Sequence, residues 1–274
     1  MRRGLVKKIS EAGVRFLSPR DGREIMLTPE LSAEVQIKLG ADFIYMLDIC
    51  GSPTDTVSQT ERDLEKTHRW YLRFLEAQRE KTRNAGRGMT RKSFGAVQDK
   101  QKIFGIIQGG LFRDLRLAST KAVNDLPVFG IALGGALGKN RKEMMKIIGW
   151  INEKIDWGRP HHLLGIGDLE SIPEIIKSGI DLFDCALPTR IARHGTAITK
   201  LGYLDIKKNS LKSVFKPIDK NCKCFTCENY TLAQLNFLAR AGEPVAGKLL
   251  TIHNLFFLET YLDEIRGKIE TNKI

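Results

Sequence analysis

The segment IFGIIQGGLFRDLRLASTKAVNDLPVFGIALGG, residues 103–135, decides the fold class. It begins with an apolar run that closes in QGG, continues through an amphipathic stretch over residues 111–126, and returns to an apolar run that closes in GG. Short apolar runs that end in glycine are typical of strands buried on both faces, and the stretch between them is typical of a helix. The segment therefore predicts a strand–helix–strand unit with parallel strands.

The same rhythm recurs on both sides of this unit. Five strands are predicted in all, at FIYMLD (43–48), IFGIIQGG (103–110), FGIALGG (129–135), HHLLGIG (161–167) and DLFDCALP (181–188). Capping-box spacing at Ser58/Glu61 and at Asn140/Glu143 predicts the starts of two helices between them. This pattern favours an α/β protein with a parallel sheet, either open or closed as a (β/α)₈ barrel. In both architectures the active site lies at the carboxyl ends of the strands.

Composition excludes several classes of protein. The chain has 274 residues, 42% of them hydrophobic, which is enough for a sizeable core and excludes a disordered chain. No apolar run approaches the roughly 18 residues of a membrane span. Polar residues interrupt the basic amino-terminal stretch where a signal peptide would need an apolar region, so we expect a cytoplasmic protein.

Positive charge is concentrated in one part of the chain. The formal net charge is +12, and residues 187–227 hold nine Lys and Arg against two Asp. A local net charge of +7 indicates a polyanionic partner such as RNA or DNA.

A cysteine cluster lies inside this basic segment. Cys222, Cys224 and Cys227 fall within six positions, and His253 is the nearest downstream donor. Three cysteines and one histidine form a closed tetrahedral set that is typical of structural zinc. The alternatives are incidental thiols on a loop and a hydrogen-bonded core histidine. We expect one Zn²⁺ that stabilises an appended subdomain rather than taking part in chemistry.

Two carboxylates and an amide lie at predicted strand ends. Asp48 and Asp184 each follow apolar strand residues, and Gln108 precedes a glycine pair. Without further context the acids could be turn or cap residues, and the glycines tight turns. Converging carboxylates allow acid/base, nucleophilic or base-recognition roles, and an amide with backbone N–H groups can read a flat heterocycle.

The order of these motifs resembles one family. QGG, the second glycine pair, RPHHLLGIG, FDCALPTR and the cysteine–histidine set follow one another as in tRNA-guanine transglycosylases, also called queuine tRNA-ribosyltransferases. The resemblance implies a (β/α)₈ barrel with a zinc-binding subdomain. Because the strand–helix rhythm breaks after Leu201, we expect a barrel segment over residues 1–200 and the zinc-binding subdomain with the C-terminal helices over 201–274. It also implies exchange of the wobble guanine of tRNA for queuine or a 7-deazaguanine precursor, with a homodimer as the expected assembly.

The resemblance also implies roles for individual residues. Asp184 matches the nucleophile that holds the RNA covalently, in the manner of a retaining glycosidase. Asp48, Gln108 and Gly135 match the groups that bind the base, and Leu164 matches an apolar residue that flanks it. The matching RNA-contact residues are Gly165, Ile166, Gly167, Asp168, Leu169, Glu170, Ser171, Thr189, Arg190, Ile191, Ala192 and Arg193.

Three features depart from the family pattern. The DSGGFQ motif, whose aspartate is the family's general acid/base, is absent, so we expect about five of eight strands and an amino-terminally incomplete barrel. Ile49 replaces the usual bacterial Glu, and the GGALGKN loop is one residue short, which leaves the incoming base open. The alternatives are a non-catalytic RNA-binding subunit or inactive fragment, and an ordinary barrel glycosidase acting on sugars.

Overall fold

A computed structural model describes residues 5–86 and 101–271, without the side chains of residues 81–86. The described residues form two compact units. The first contains the residues up to Leu164 together with Ser178–Phe183, and the second contains Gly165–Lys177 together with the residues from Asp184 onward. The predicted division at residue 200 stays a prediction.

The first unit begins with a small antiparallel sheet that the sequence analysis did not predict. Its strands are β1 (Val6–Ser10), β2 (Gly13–Leu17) and β3 (Glu24–Leu27), in that order. Helix α1 (Pro29–Leu39) follows, and Thr28 caps it by accepting a hydrogen bond from the N–H of Leu31 at 3.1 Å.

The main sheet of this unit has five parallel strands. They are β4 (Phe43–Tyr45), β5 (Lys102–Ile107), β6 (Gly130–Leu133), β7 (His161–Leu163) and β8 (Leu182–Phe183). Their spatial order equals their order in the chain, whereas a doubly wound sheet reverses direction at a switch point. The sheet is thus a curled half-barrel, which confirms the (β/α) barrel class and all five predicted strands. Each strand ends before the polar or glycine residues that we had assigned to it.

Three helices accompany this sheet within the first unit: α2 (Val57–Gly86), α3 (Arg113–Asn124) and α4 (Arg141–Asn152). Asn140 caps α4 as predicted, because its side chain accepts from the N–H of Glu143 at 3.0 Å. The predicted Ser58 cap is wrong. Helix α2 begins at Val57, two residues earlier than a Ser58 cap requires, and the hydroxyl of Thr56 accepts from the N–H of Gln59 at 3.2 Å.

The second unit is mainly helical. It contains α5 (Ile172–Lys177), α6 (Leu187–Arg193), the hairpin of β9 (Thr196–Thr199) and β10 (Gly202–Asp205), a 3₁₀ turn (Asn209–Leu211), α7 (Phe225–Asn229), α8 (Leu232–Ala241) and α9 (Pro244–Glu270). Buried aliphatic residues of α6, β9, α8 and α9 form its core. Helix α9 has 27 residues, yet neither it nor any other described helix is long and apolar enough to cross a membrane.

Candidate functional site

Asp48 and Gln108, two of the predicted base-binding residues, lie in contact. Each follows a strand of the parallel sheet, β4 and β5 respectively, and the side-chain amide of Gln108 donates a hydrogen bond to a carboxylate oxygen of Asp48. Gln108 is buried, and its backbone N–H donates to the hydroxyl of Ser119 on α3 at 3.0 Å. Two polar side chains therefore face each other at the carboxyl end of adjacent strands.

The glycine pair after β6 lies against this amide. Gly135 has a φ of +76°, and a Cβ there would collide with Oε1 of Gln108. A Cβ on Gly134 would lie 2.9 Å from Nε2 of the same side chain. Leu164, the residue after β7, also lies close to this loop. Its Cδ1 would be 3.5 Å from a Cβ on Gly134. Only glycine lets the loop and the amide lie this close, so the pair does more than make a turn.

Burial sets the electrostatics around Asp48. Loss of solvent raises the pKa of this carboxyl group, and the hydrogen bond from Gln108 opposes the rise. Tyr71, from α2, is fully buried, and its hydroxyl donates to the carbonyl of Ile106 at 2.7 Å. Burial and the nearby Asp48 raise the pKa of Tyr71 well above its ordinary value, so it stays a neutral donor. A carboxylate, an amide and a backbone N–H can together read a heterocycle with adjacent donor and acceptor positions.

Sequence reasoning missed Arg116, a buried arginine of α3. It is fully buried, and its guanidinium donates to the carbonyl oxygens of Ile107, Gly110, Gly134 and Ala136 at 2.8–3.1 Å. Burial lowers the pKa of Arg116 to about 10, so it remains charged at neutral pH. The sequence could have indicated this arginine, because helical spacing places Arg116 on the same face of α3 as Ser119, Thr120 and Val123, which are buried.

In the second unit, Asp184 is the first residue after β8. Its side chain is exposed, and its Oδ1 accepts a hydrogen bond from the backbone N–H of Gly165 at 2.9 Å. The structure therefore joins Asp184 to the start of the predicted RNA-contact segment. Within that segment, Asp168 accepts from the N–H of Ser171 at 3.0 Å, in the turn that precedes α5.

Helix α6 carries the other predicted RNA contacts. Arg190 and Arg193 are exposed, whereas Ala192 is fully buried in the core of the second unit. A cavity of about 750 Å³ lies beside this helix, and its charged lining residues are Arg193, Lys207, Lys248 and Glu243. Three cations against one acid give the cavity a net positive charge, which suits an anionic group.

The cysteine–histidine set is brought together in the second unit. The donor atoms of Cys222, Cys224, Cys227 and His253 all lie within 4.8 Å of one another. The distances from Nδ1 of His253 to the three sulfurs are 3.7, 3.5 and 3.4 Å. Metal–ligand lengths of about 2.3 Å for sulfur and about 2.0 Å for nitrogen place tetrahedral S and N donors about 3.5 Å apart. The geometry thus fits one tetrahedral metal ion, as predicted.

The surroundings favour a metal as well. Nε2 of His253 lies 2.9 Å from the carbonyl oxygen of Ile198, which can only accept, so Nε2 carries the proton and Nδ1 presents its lone pair to the thiols. Burial lowers the pKa of His253 and raises those of Cys222 and Cys227, so burial alone favours the neutral thiols. A bound cation supplies the charge that stabilises thiolates.

Comparison with known proteins agrees with these features. A family model described as queuine tRNA-ribosyltransferase matches residues 3–274. The queuine tRNA-ribosyltransferase of Azoarcus sp. (strain BH72) is 35% identical over 271 residues, which is 98% of this chain and 69% of that protein. The protein of the same name from Thermotoga neapolitana is 38% identical over 264 residues, 96% of this chain and 67% of that protein. The chain therefore belongs to the queuine tRNA-ribosyltransferase family.

Proposed function

We propose that the protein exchanges the wobble guanine of tRNA for queuine or a 7-deazaguanine precursor, through a covalent enzyme–RNA intermediate. The observation that carries this proposal is the Asp48–Gln108 pair lying against the Gly134-Gly135 loop. That arrangement offers acceptors and donors in the order that a guanine edge requires. Family membership supplies the reaction class.

The base-binding roles follow from the donor and acceptor types. The carboxylate of Asp48 accepts hydrogen bonds from the amino and ring N–H groups of the base. Gln108 and the backbone N–H of Gly135 donate to its carbonyl oxygen, and Leu164 flanks the ring. In the arrangement described above, Gln108 donates to Asp48 instead, so a bound base would replace that hydrogen bond with its own.

We assign the covalent step to Asp184. One of its carboxylate oxygens attacks C1′ of the ribose, the C1′–N9 bond breaks, and the electron pair leaves with guanine. The incoming base then attacks C1′ through the corresponding ring nitrogen and displaces the carboxylate. The departing guanine takes up one proton from solvent water at N9, and the incoming base releases one proton to solvent water, so the exchange is balanced. The hydrogen bond from Gly165 holds Asp184 in one orientation before attack.

The tRNA partner is supported by charge. The +7 segment includes α6, and the cations Arg193, Lys207 and Lys248 line the cavity beside it. We propose that α6 and the residues from Gly165 to Ser171 contact the anticodon loop, with Arg190 and Arg193 as ionic contacts to phosphate. The target base must leave the stack to be reached.

We propose that the metal is Zn²⁺, one per chain. Three sulfur donors and one imidazole leave no open position, which suits a structural role in residues 201–274. We also propose a homodimer and a cytoplasmic location. Phe225 and Phe237 are 55% and 71% exposed, and apolar surface of this kind suits a subunit contact. Sedimentation equilibrium of the full chain tests the dimer.

Covalent trapping tests the function. The full chain and an Asp184→Asn variant are incubated with a guanine-containing anticodon stem-loop, and a denaturation-resistant protein–RNA adduct is sought. Asp181→Asn is the matched control, because Asp181 is three residues away and accepts instead from the N–H of His161. We expect an adduct with wild type and the control only. RNA binding without any adduct in wild type would favour the non-catalytic RNA-binding alternative.

A further inference from the structure

The guanidinium of Arg116 lies directly behind the peptide group that presents the N–H of Gly135. One terminal nitrogen donates to the carbonyl oxygen of Gly134 at 2.8 Å, and the other donates to the carbonyl oxygen of Ala136 at 2.8 Å. The Gly134 carbonyl and the Gly135 N–H are the two ends of one peptide group. A hydrogen bond to the oxygen polarises this group and strengthens its N–H as a donor.

Backbone dipoles balance the charge of Arg116. Among residues 5–86 and 101–271, its guanidinium donates to four carbonyl oxygens, and the nearby Cys50 opposes the lowering of its pKa by burial. A buried cation paired only with dipoles is costly to maintain. The positive charge of Arg116 favours negative charge on the opposite side of the Gly134–Ala136 loop, whose carbonyl oxygens Arg116 contacts.

We propose that Arg116 is a positioning residue that fixes the Gly135 N–H and strengthens it as a donor to the base carbonyl oxygen. The proposal rests on the base-exchange function proposed above. When the C1′–N9 bond breaks, the electron pair passes into the base and negative charge accumulates on that oxygen. A stronger, fixed donor there stabilises the transition state more than the ground state.

A purely structural role for Arg116 is the competing explanation, and Arg159 provides a matched control. Arg159 also donates from both terminal nitrogens to backbone carbonyls, those of Leu126 and of Asn124 at the end of α3, each at 2.9 Å, and its Nε forms an ion pair with Asp156 at 2.9 Å. Neither carbonyl belongs to the loop that includes Gly135. Loss of Arg159 therefore removes similar hydrogen bonds without changing the donor that binds the base.

Isotope labelling reads the polarisation directly. The sequence contains only two Gly-Gly pairs, at 109–110 and 134–135. If glycine carbonyls carry ¹³C and glycine amides carry ¹⁵N, an NMR experiment that selects an amide through the preceding labelled carbonyl observes only the N–H groups of Gly110 and Gly135. Gly110 is the comparison signal: its N–H shares a peptide group with the Gly109 carbonyl, which accepts from the N–H of Phe112, whereas Arg116 donates only to the carbonyl of Gly110 on the next peptide group. We expect Arg116→Met to move the Gly135 amide proton upfield more than that of Gly110. Arg116→Lys should move it less, and Arg159→Met should leave it in place.

Kinetics complete the test. We expect Arg116→Met to lower kcat for base exchange by about 10²-fold, with KM for the stem-loop within about twofold and partial rescue in Arg116→Lys. Arg159→Met should change thermal stability but not kcat. A folded Arg116 variant with an unmoved Gly135 signal and unchanged kcat overturns the proposal. If the methionine variant does not fold, the lysine variant decides.

The two proposals fail in different ways. If wild type makes neither adduct nor exchange product, the proposed function fails. The Gly135 signal still decides whether Arg116 polarises this peptide, and an unmoved signal overturns the inference regardless of activity. Calorimetric titration of free guanine into the same variants gives a second readout that requires no turnover.

Discussion

Nε2 of His253 donates a hydrogen bond to the carbonyl oxygen of Ile198 across 2.9 Å, and this bond directs Nδ1 toward three cysteine sulfurs. The metal site is thereby tied to strand β9 through its histidine. Outer contacts of this kind fix the tautomer and orientation of a ligating imidazole. We therefore expect metal binding at this candidate site to be coupled to folding of the second unit.

Loss of a ligand should release the metal. We expect Cys224→Ser to lower zinc content from one per chain to well below one and to reduce the melting temperature by several degrees, since Cys224 is only 2% exposed. Elemental analysis and calorimetry measure the two effects. Cys50→Ser is the control, because Cys50 is exposed and outside the cluster. Equal zinc in both variants would contradict the assigned ligand set.

The glycine loop gives a second prediction. Gly135→Ala should lower the free energy of unfolding by ~1–2 kcal/mol, because alanine is strained in the left-handed backbone conformation of this residue. The new methyl group should also displace the Gln108 amide, with which it collides. Gly242→Ala is a matched control: its φ is +77°, and no atom lies within 4 Å of its Cβ position. We expect both variants to lose stability but only Gly135→Ala to lose guanine binding, as measured by calorimetric titration. Unchanged guanine affinity in Gly135→Ala would remove this loop from the base site.

Asp48 predicts a pH dependence. Burial raises the pKa of Asp48, so the native chain holds this proton more tightly than the unfolded chain does. The free energy of unfolding should therefore fall as pH rises from about 4 through the raised pKa. Asp48→Asn should remove this fall, which urea denaturation at a series of pH values measures. An identical pH profile in wild type and variant would show that Asp48 is not buried as described.

Guanine affinity should change with pH in the opposite sense. The ionised carboxylate of Asp48 is the form that accepts from the base, so wild-type affinity should rise with pH through the raised pKa. Asp48→Asn should bind about tenfold more weakly at neutral pH, because a charge-assisted hydrogen bond is lost, and should show no such rise. Titration calorimetry across pH checks both statements.

The sequence predicted the parallel strands well because apolar periodicity and glycine punctuation are local signals. It placed the strand ends too late, since Asp48 and Gln108 look like strand continuations but leave the ladder to form the site. It missed the β1–β3 sheet, whose half-exposed strands alternate only weakly. Short, partly exposed strands give little periodic signal.

The candidate site was predicted unevenly for a similar reason. Cysteine spacing and strand-end acids are visible in a sequence because residue type alone suggests their chemistry. Arg116 and Asn254 are not, because their importance lies in the backbone carbonyls and N–H groups that they contact. Partners far apart in the chain appear only once the fold is known.

Asn254 illustrates this point and gives the last prediction. It follows the predicted metal ligand His253 on α9, is fully buried, and accepts from the N–H of Ile198 at 2.8 Å. Its amide donates to the carbonyl oxygens of Pro188 and Thr196 at 3.0 and 3.1 Å. One side chain thus joins the metal-bearing helix to the helix that carries Arg190 and Arg193.

Asn254→Ala should therefore cost about 3 kcal/mol, because it leaves three buried backbone groups without this partner. Asn236→Ala is the comparison: Asn236 is also buried, and its amide donates to the carbonyl oxygens of Ile206 and Lys208 at 2.6 and 2.8 Å, on either side of Lys207 and not on α6. At a temperature where both variants stay folded, we expect Asn254→Ala to weaken stem-loop binding more than Asn236→Ala does, since only Asn254 contacts the start of α6. Filter binding measures the affinities, and denaturation measures the stabilities. Equal weakening by both variants would mean that the loss follows from general destabilisation, and that the position of α6 does not depend on Asn254.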